Sequence, residues 1–297
     1  MEEEIIEKYK KAGEIAKKAM ELAVELVKEN AKALDVAEKV EAKIIELEGK
    51  PAWPLNLSIN SIAAHWTPKV NDETVFKKGD LVKIDVGVHV DGYIADTAKT
   101  VEIGTTEWKK LIQASEEALK KALDIVKPGV TISEIGAVIE ETIKSHGFTP
   151  IANLSGHGVD EYENHTSPTI PNFDNKSNQK LKEGDVIAIE PFATDGIGKV
   201  IDAKNSEIYR IEHPKPVRQR IARKILNHVA EENVTLPFCK RWLAKEVGGF
   251  GLEMGFKELK RVDAIHNFSV LKEESNGMVS QAEHTIIVLK EPIITTI

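Results

Sequence analysis

Asp85 and Asp96 carry the side chains best suited to chemistry, and both lie in one stretch, KKGDLVKIDVGVHVDGYIADTAKTV at residues 77–101. Two apolar, β-branched runs flank Asp91-Gly92, a dipeptide that predicts a tight hairpin. With those two residues as the loop, Val90 faces Tyr93 and, counting outwards, Gly87 faces Asp96. Asp85 is two residues from Gly87, so its side chain leaves the same sheet face as that of Asp96. Two carboxylates thereby become diagonal neighbours among Val, Ile and Ala. Like charges so close raise each other's pKa and strain the fold unless a cation lies between them. The plainer alternative is a pair of solvated strand aspartates; the sharper one is a metal site. Gly87 and Gly92 leave room for another group to approach.

Two histidines and two glutamates could join them. His157 stands between glycines in IANLSGHGVDEYENHTSPTIPNF, residues 151–173, and His165 follows ahead of Pro168 and Pro171. Glycine permits close backbone approach and unusual φ values, and histidines in such a stretch suit ligand or acid/base roles. A polar loop would have the same composition. His65, in PAWPLNLSINSIAAHWTP, has Trp66 beside it and reads as structural unless it points at the hairpin. Glu190 ends KEGDVIAIE, and Glu283 heads the apolar run of SQAEHTIIVLK. A carboxylate unpaired in a buried strand costs several kcal/mol to ionise.

The elements that must position these groups show a repeat. Residues 77–85 read KKGDLVKID and residues 182–190 read KEGDVIAIE, so Gly79, Asp80, Ile84 and Asp85 are answered by Gly184, Asp185, Ile189 and Glu190 at one constant offset. Each copy follows two helical patterns. In residues 2–49, Ala16, Ala19, Ala23 and Val27, then Val36, Val40, Ile44 and Leu47, recur at helical spacing, with a soft break near Glu29-Asn30. Residues 106–147 predict two more helices, one stopped by Pro128-Gly129, the other capped by Thr131 and ended by Gly147. An α,α,β,β unit repeated once implies two halves about a pseudo-twofold axis, with acidic side chains on the seam. That arrangement suits two metal ions.

Leu55, Leu57 and Ile59 alternate as in a strand that leads to His65. Residues 212–262 interrupt the repeat: they are charged, helical and turned at Gly248-Gly249, and read as an insertion. Helix-turn-helix shapes can bind DNA, but the chain as a whole is acidic, so the segment reads as structural or as a wall of the substrate pocket. Residues 264–297 supply further strands.

Composition narrows the function. With 297 residues, 41% hydrophobic and 30% charged, the chain has the makeup of an ordinary globular protein, predicted as one domain over 1–297 that contains the insertion. Its net charge of -8 argues against nucleic acid or anionic membrane as main partner. Cys239 is the single cysteine, which excludes an internal disulfide and suits a reducing compartment. The charged N-terminal stretch MEEEIIEKYKKAGEIAKK has no apolar core and nowhere is there a run of about 20 apolar residues, so the expected location is cytoplasmic.

Asp85, Asp96, His157, Glu190 and Glu283 form a set of hard ligands for divalent ions. Around them, AAHWTP, KIDVGVHVDGYIADTA, LSGHG with His165 downstream, AIEPF and QAEHT together resemble the methionine aminopeptidase family over nearly the whole chain. The long span between Glu190 and Glu283, which holds the helical segment, resembles type 2 of that family, and the absence of a long N-terminal extension its short archaeal form. The resemblance implies an α+β pita-bread fold and removal of the N-terminal methionine from nascent polypeptides and peptides, with a small second residue preferred. It implies two divalent ions (Co, Mn, Fe or Zn): Asp85 on one, Asp96 and Glu283 bridging, His157 and Glu190 on the other, with a shared hydroxide attacking the scissile carbonyl.

The same resemblance gives Glu190 the proton shuttle, gives His165 the oxyanion or the substrate amide, and gives His65 the leaving amine or the orientation of the peptide. Trp53, Phe192 and Phe268 become walls of the methionine pocket. The family has Phe where Trp53 stands, Tyr where Phe268 stands, an apolar residue at Asn164 and Phe at Ala282; these departures bear on pocket volume and rate. The implied partners are nascent N-termini, with the ribosome as a candidate, and the chain is expected to be a monomer. Prolidase and aminopeptidase P resemble the same fold and ligand set but usually carry a further N-terminal domain. A metal-free binding protein on this fold would have no use for buried carboxylates.

Overall fold

The computed structural model describes residues 1–213 and 216–297. Its first helices, α1 (Glu3–Leu26) and α2 (Ala33–Glu46), form where small and branched side chains recur every three or four residues. Ala16, Ala19, Ala23, Val36, Val40 and Ile44 are all buried. Between the helices Asn30 takes φ +66°, which an asparagine tolerates without proline or glycine to mark the break. Short strands β1 (Lys50–Pro51), β2 (Asn56–Ile59) and β3 (Ile62–Ala64) lead to the hairpin of β4 (Leu81–Val90) and β5 (Tyr93–Glu102). Val82, Ile84, Val86 and Val88 of β4 pack against α1 and α2. The alternate residues, Asp85 among them, therefore face the other way.

The hairpin turns at Asp91 (φ +51°) and Gly92 (φ +90°) and pairs Val90 with Tyr93 and Gly87 with Asp96, as the sequence predicts. The expected free space at its glycines is taken by the protein itself. A Cβ on Gly87 would overlap the Trp53 indole, and one on Gly92 the Tyr162 ring.

The second half repeats the first. Helices α3 (Lys109–Ile125) and α4 (Ile132–Ser145) precede β6 (Thr149–Pro150), β7 (Ser155–Asp160), β8 (Glu163–Pro171), β9 (Val186–Ile189), β10 (Phe192–Thr194) and β11 (Val200–Ile211). Thr131 closes a full capping box with Glu134, and Gly147 ends the helix at φ +83°. Residues 155–171 are a paired hairpin where composition also allowed a polar loop. The glycines beside His157 serve close approach, since a Cβ would overlap the Ala188 carbonyl at Gly156 and the Ser167 carbonyl at Gly158.

The repeated motif is the same turn twice. Gly79 and Gly184 both have positive φ, +86° and +94°. Asp80 accepts from Lys77 N and Asp185 from Lys182 N, each at 2.8 Å. Asp80 O accepts from Ile103 N as Asp185 O does from Val288 N.

Residues 216–262 supply α5 (Arg220–Glu232), β12 (Phe238–Cys239), α6 (Lys240–Val247) and α7 (Gly249–Arg261), with Gly248 at φ +75° turning between the last two. The helices match expectation; residues 214 and 215 of the predicted 212–262 segment lie outside the described residues. The strand β12, which pairs with β11, is not foreshadowed by the helical pattern. Arg241 anchors this segment: its Nη1 and Nη2 donate to Glu41 of α2 at 2.5 and 2.8 Å, and Glu41 also accepts from Trp242 Nε1 and Leu55 N. The chain then adds β13 (Ile265–Glu273), β14 (Val279–Gln281), β15 (Glu283–Ile287) and β16 (Ile293–Ile294).

The large sheet runs β1-β4-β5-β15-β9-β7-β8, with β2 also on β4 and β16 on β15. The shift that carries Ile103 to Val288 carries Ala98 to Glu283, and those two residues pair directly. The pseudo-twofold axis passes between them, so the seam of the two halves is the centre of the sheet.

Candidate metal centre

The sheet faces determine where the carboxylates meet. Asp85 and Asp96 leave β4 and β5 on the side away from α1 and α2, Glu283 opens β15 beside them, and Glu190 follows β9. His157 reaches in from β7, which borders β9. Its Nε2 lies 3.6 Å from Asp96 Oδ2 and 3.7 Å from Glu190 Oε1. Asp96, His157 and Glu283 each present one ligand atom within 4.8 Å of the others, and all three are buried. The Nδ1 of His157 lies 3.2 Å from Gly158 O, a bond that puts the proton on Nδ1 and leaves the Nε2 lone pair facing the acids.

Without a cation this cluster is electrostatically unfavourable. Burial pushes Asp85 up to about 6, against hydrogen bonds from Trp53 and Gln281 that pull it down. Asp96 is held well above the usual carboxylate range by burial and then by Asp85. Glu190 rises for the same first reason, and then through Asp96 and Asp85. Glu283 rises by burial, then Asp96, Glu190 and Asp85. Burial, then His165, keeps the His157 imidazole far below its ordinary value, hence neutral. Asp96 Oδ1 and Glu283 Oε1 are buried with no hydrogen-bond partner. Buried acceptors in that state carry a penalty of roughly 1–3 kcal/mol each. Divalent cations remove both the repulsion and the missing partners, so the residues fit the group that the sequence implies.

One cavity of about 190 Å³ gathers every predicted site residue: Asp85, Asp96, His157, Glu190 and Glu283 with His65, His165, Trp53, Phe192 and Phe268. His165 stands edge-on to His157, ring centroids 4.1 Å apart, and solvent reaches it through the mouth. Desolvation within the cavity, then His65 and Arg210, push its imidazole down. His65 holds φ +63°, with Nδ1 3.2 Å from Ser269 O and its ring edge-on to Phe268 at 5.7 Å. Backbone strain at a histidine beside a cavity suits function better than the structural role that Trp66 alone suggested. Trp53 Nε1 donates to Asp85 Oδ1 at 3.1 Å, so this side chain orients one of the four acids as well as lining the cavity.

Asn164 also lines the cavity, whereas Ala282 does not: it packs on the opposite side with Leu119 and Leu123 of α3. The replacement at Ala282 therefore leaves pocket volume untouched, contrary to expectation. Sequence reasoning missed Gln281, which is buried and donates from Nε2 to Glu190 Oε2 at 3.3 Å. It also missed Ile208, Pro237 and Leu271, apolar lining from segments far apart in the chain. Only the place of Gln281 two residues before Glu283, hence on the same face, could have signalled it.

Comparison with known proteins fits this geometry. The family model described as Metallopeptidase family M24 matches residues 7–218. The chain is 50% identical over 288 residues to the methionine aminopeptidase of Archaeoglobus fulgidus, covering 97% of each. The structure of a thermophilic Arx1 superposes with TM-score 0.86 at 21% identity, over 99% of this chain and 91% of that one. A methionine aminopeptidase from Thermotoga maritima gives TM-score 0.74 at 25% identity, over 100% and 98%.

Proposed function

Since the chain belongs to metallopeptidase family M24, on the pita-bread fold, we propose that its buried acidic cluster holds two divalent cations and that the surrounding cavity receives a peptide N-terminus. The function is that of a methionine aminopeptidase, a hydrolase. The observation that carries the metal reading is the cluster itself: four carboxylates raised by burial, two of their oxygens without partners, and a neutral imidazole aimed at them.

In this reading Asp85, Asp96, His157, Glu190 and Glu283 would together hold the ions. When bound, the ions supply Lewis acidity, which neutralises the carboxylates, polarises a carbonyl and acidifies water. The protein's own groups do the rest. The cavity wall of Trp53, Phe192 and Phe268 takes up the methionine side chain and excludes water from it. The free α-amine meets the acidic side chains that line the cavity, which favours an exopeptidase. Glu190, buried in the cavity with Oε1 3.7 Å from His157 Nε2, accepts a proton from water and passes it to the leaving amine. His165 donates a hydrogen bond to the substrate carbonyl or amide. His65 keeps Nδ1–H on Ser269 O and offers Nε2 to the peptide beyond the scissile bond.

Residues 212–262 are assigned as an insertion within one catalytic domain; the return of β14 and β15 to sheets built from strands that precede it supports this. The remaining readings are a small second residue in the substrate, a monomer in the cytoplasm, and the ribosome as a candidate partner. Among the described residues no helix is long and apolar enough to cross a membrane. The test is mass spectrometry of Met-Ala-Ser, Met-Lys-Ser and Leu-Pro after incubation with metal-stripped protein plus Co or Mn. Loss of methionine from the first alone is expected. Cleavage of Leu-Pro alone would indicate a prolidase, and no cleavage with any metal a binding protein.

A further inference from the structure

The two central strands are joined at the site by hydroxyl groups in place of a regular ladder. Main-chain pairing between β5 and β15 comprises only Glu283 with Ala98 and His284 with Thr97. At Asp96 the main chain instead bonds a side chain: Asp96 N donates to Thr285 Oγ1 at 2.7 Å, and Thr285 Oγ1 donates to Asp96 O at 2.9 Å. The relation is reciprocal, because Thr97 Oγ1 donates to Glu283 O at 2.9 Å. Each of the two acids read as bridging ligands is thus held at its backbone by a threonine from the other's strand.

The clip has its own support. Thr295 N donates to Thr285 O at 2.9 Å, and Thr285 N to Thr296 Oγ1 at 3.3 Å. Thr296 Oγ1 also bonds His284 Nδ1 at 2.8 Å. Thr295 in turn presses on α1 at Gly13, where a Cβ would overlap its carbonyl. Asp96, Thr97, Glu283, Thr285, Thr295 and Thr296 are all buried. Each hydroxyl has a defined partner, so none is free to reorient.

We infer that Thr285, backed by Thr295 and Thr296, is a positioning residue that fixes the separation of the Asp96 and Glu283 carboxylates and thereby sets cation affinity. The inference rests on the reading of these two acids as metal ligands. A hydroxyl that bonds both N–H and C=O of one residue fixes that residue's position along the strand as well as across it. A ladder pair at this point would bring the strands together but would bind the two groups through two different atoms. Outer partners of metal ligands commonly govern affinity in this way.

The test compares Thr285→Val, Thr285→Ser and Asp96→Asn by calorimetric titration of metal-stripped protein with Mn, with circular dichroism to verify the fold. Thr285→Val should weaken cation binding by about tenfold or more while Thr285→Ser restores it. Unchanged affinity in Thr285→Val, or equal loss in both, overturns the inference. Should Thr285→Val not fold, Thr97→Val removes the reciprocal bond, and the same loss is required of it. Retained cation binding in Asp96→Asn would instead overturn the ligand reading itself.

Discussion

Arg241→Ala should be among the most destabilising single substitutions outside the site. The guanidinium and Glu41 are 5% and 8% exposed, and Arg241 also donates to Pro68 O and Thr67 Oγ1. Breaking a buried ion pair from one side costs about 3–5 kcal/mol, because a charge is left behind. Glu41 would keep Trp242 Nε1 and Leu55 N, which moderates that figure. The lost bonds to Thr67 and Pro68 add roughly 1 kcal/mol each. We expect about 4 kcal/mol, or a fall in Tm of roughly 8 °C for a chain of this size.

Glu41→Leu with Arg241→Met separates charge from packing. No charge remains, but the Leu55 amide and Trp242 Nε1 lose their acceptor and the bonds to Pro68 and Thr67 are gone as before, together about 4 kcal/mol, which apolar packing of the Leu and Met side chains offsets by roughly 1–3 kcal/mol. The double variant should therefore lose about 2 kcal/mol, less than the single one. Urea denaturation of metal-loaded protein reads both. A cost below about 1 kcal/mol for Arg241→Ala, or a double variant no better than the single, would refute the reasoning.

Asp96→Asn should abolish activity and weaken metal binding, whereas His65→Ala should spare the metals and slow turnover; equal metal loss in both, by calorimetry, would contradict the division of roles. Gly87→Ala should drive the Trp53 ring off β4, cost about 1–3 kcal/mol and raise KM for methionyl peptides; an unchanged KM would show that Trp53 forms no part of the pocket. The stability gap between metal-loaded and metal-stripped protein should widen with pH. Asp85 titrates near 6 in the stripped fold, above its unfolded value, so the stabilisation present below about pH 4 is lost as pH rises through 6. Asp85 alone contributes on the order of 3 kcal/mol, with Asp96, Glu190 and Glu283 acting in the same direction. Denaturation curves with and without Mn across pH 4–7 test it, and a gap that narrows would falsify the electrostatic account.

The hairpin, its register and the two acids were legible because Asp91-Gly92 fixes the turn and alternation fixes the faces. The repeat was legible because a positive-φ glycine and a capping aspartate recur in both turns, a local requirement written in local sequence. Thr131 and Gly147 marked a helix for the same reason. What stayed hidden depends on distant partners. Gln281, Thr285 and Ile208 acquire their roles from β5, β9 and the cavity, and nothing in their own neighbourhoods distinguishes them from other strand residues. The open space expected at Gly87 was misread because a glycine signals close approach but not by whom. The face of Ala282 followed from alternation with Glu283, yet family resemblance drew attention to its size instead.

The position of β15 in the sheet bears on how the molecule is made. It lies between β5 and β9, yet its residues, 283–287, come late in the chain, after every other strand of the β4-β5 and β9-β7-β8 groups. Until it docks, two half-sheets face each other across a gap, each with an unpaired edge able to recruit a foreign strand. Glu283 arrives with that same strand. Synthesis thus leaves the buried acidic cluster one carboxylate short until the last central strand closes the gap, and the step that ends the hazard of open edges is also the step that completes the cluster.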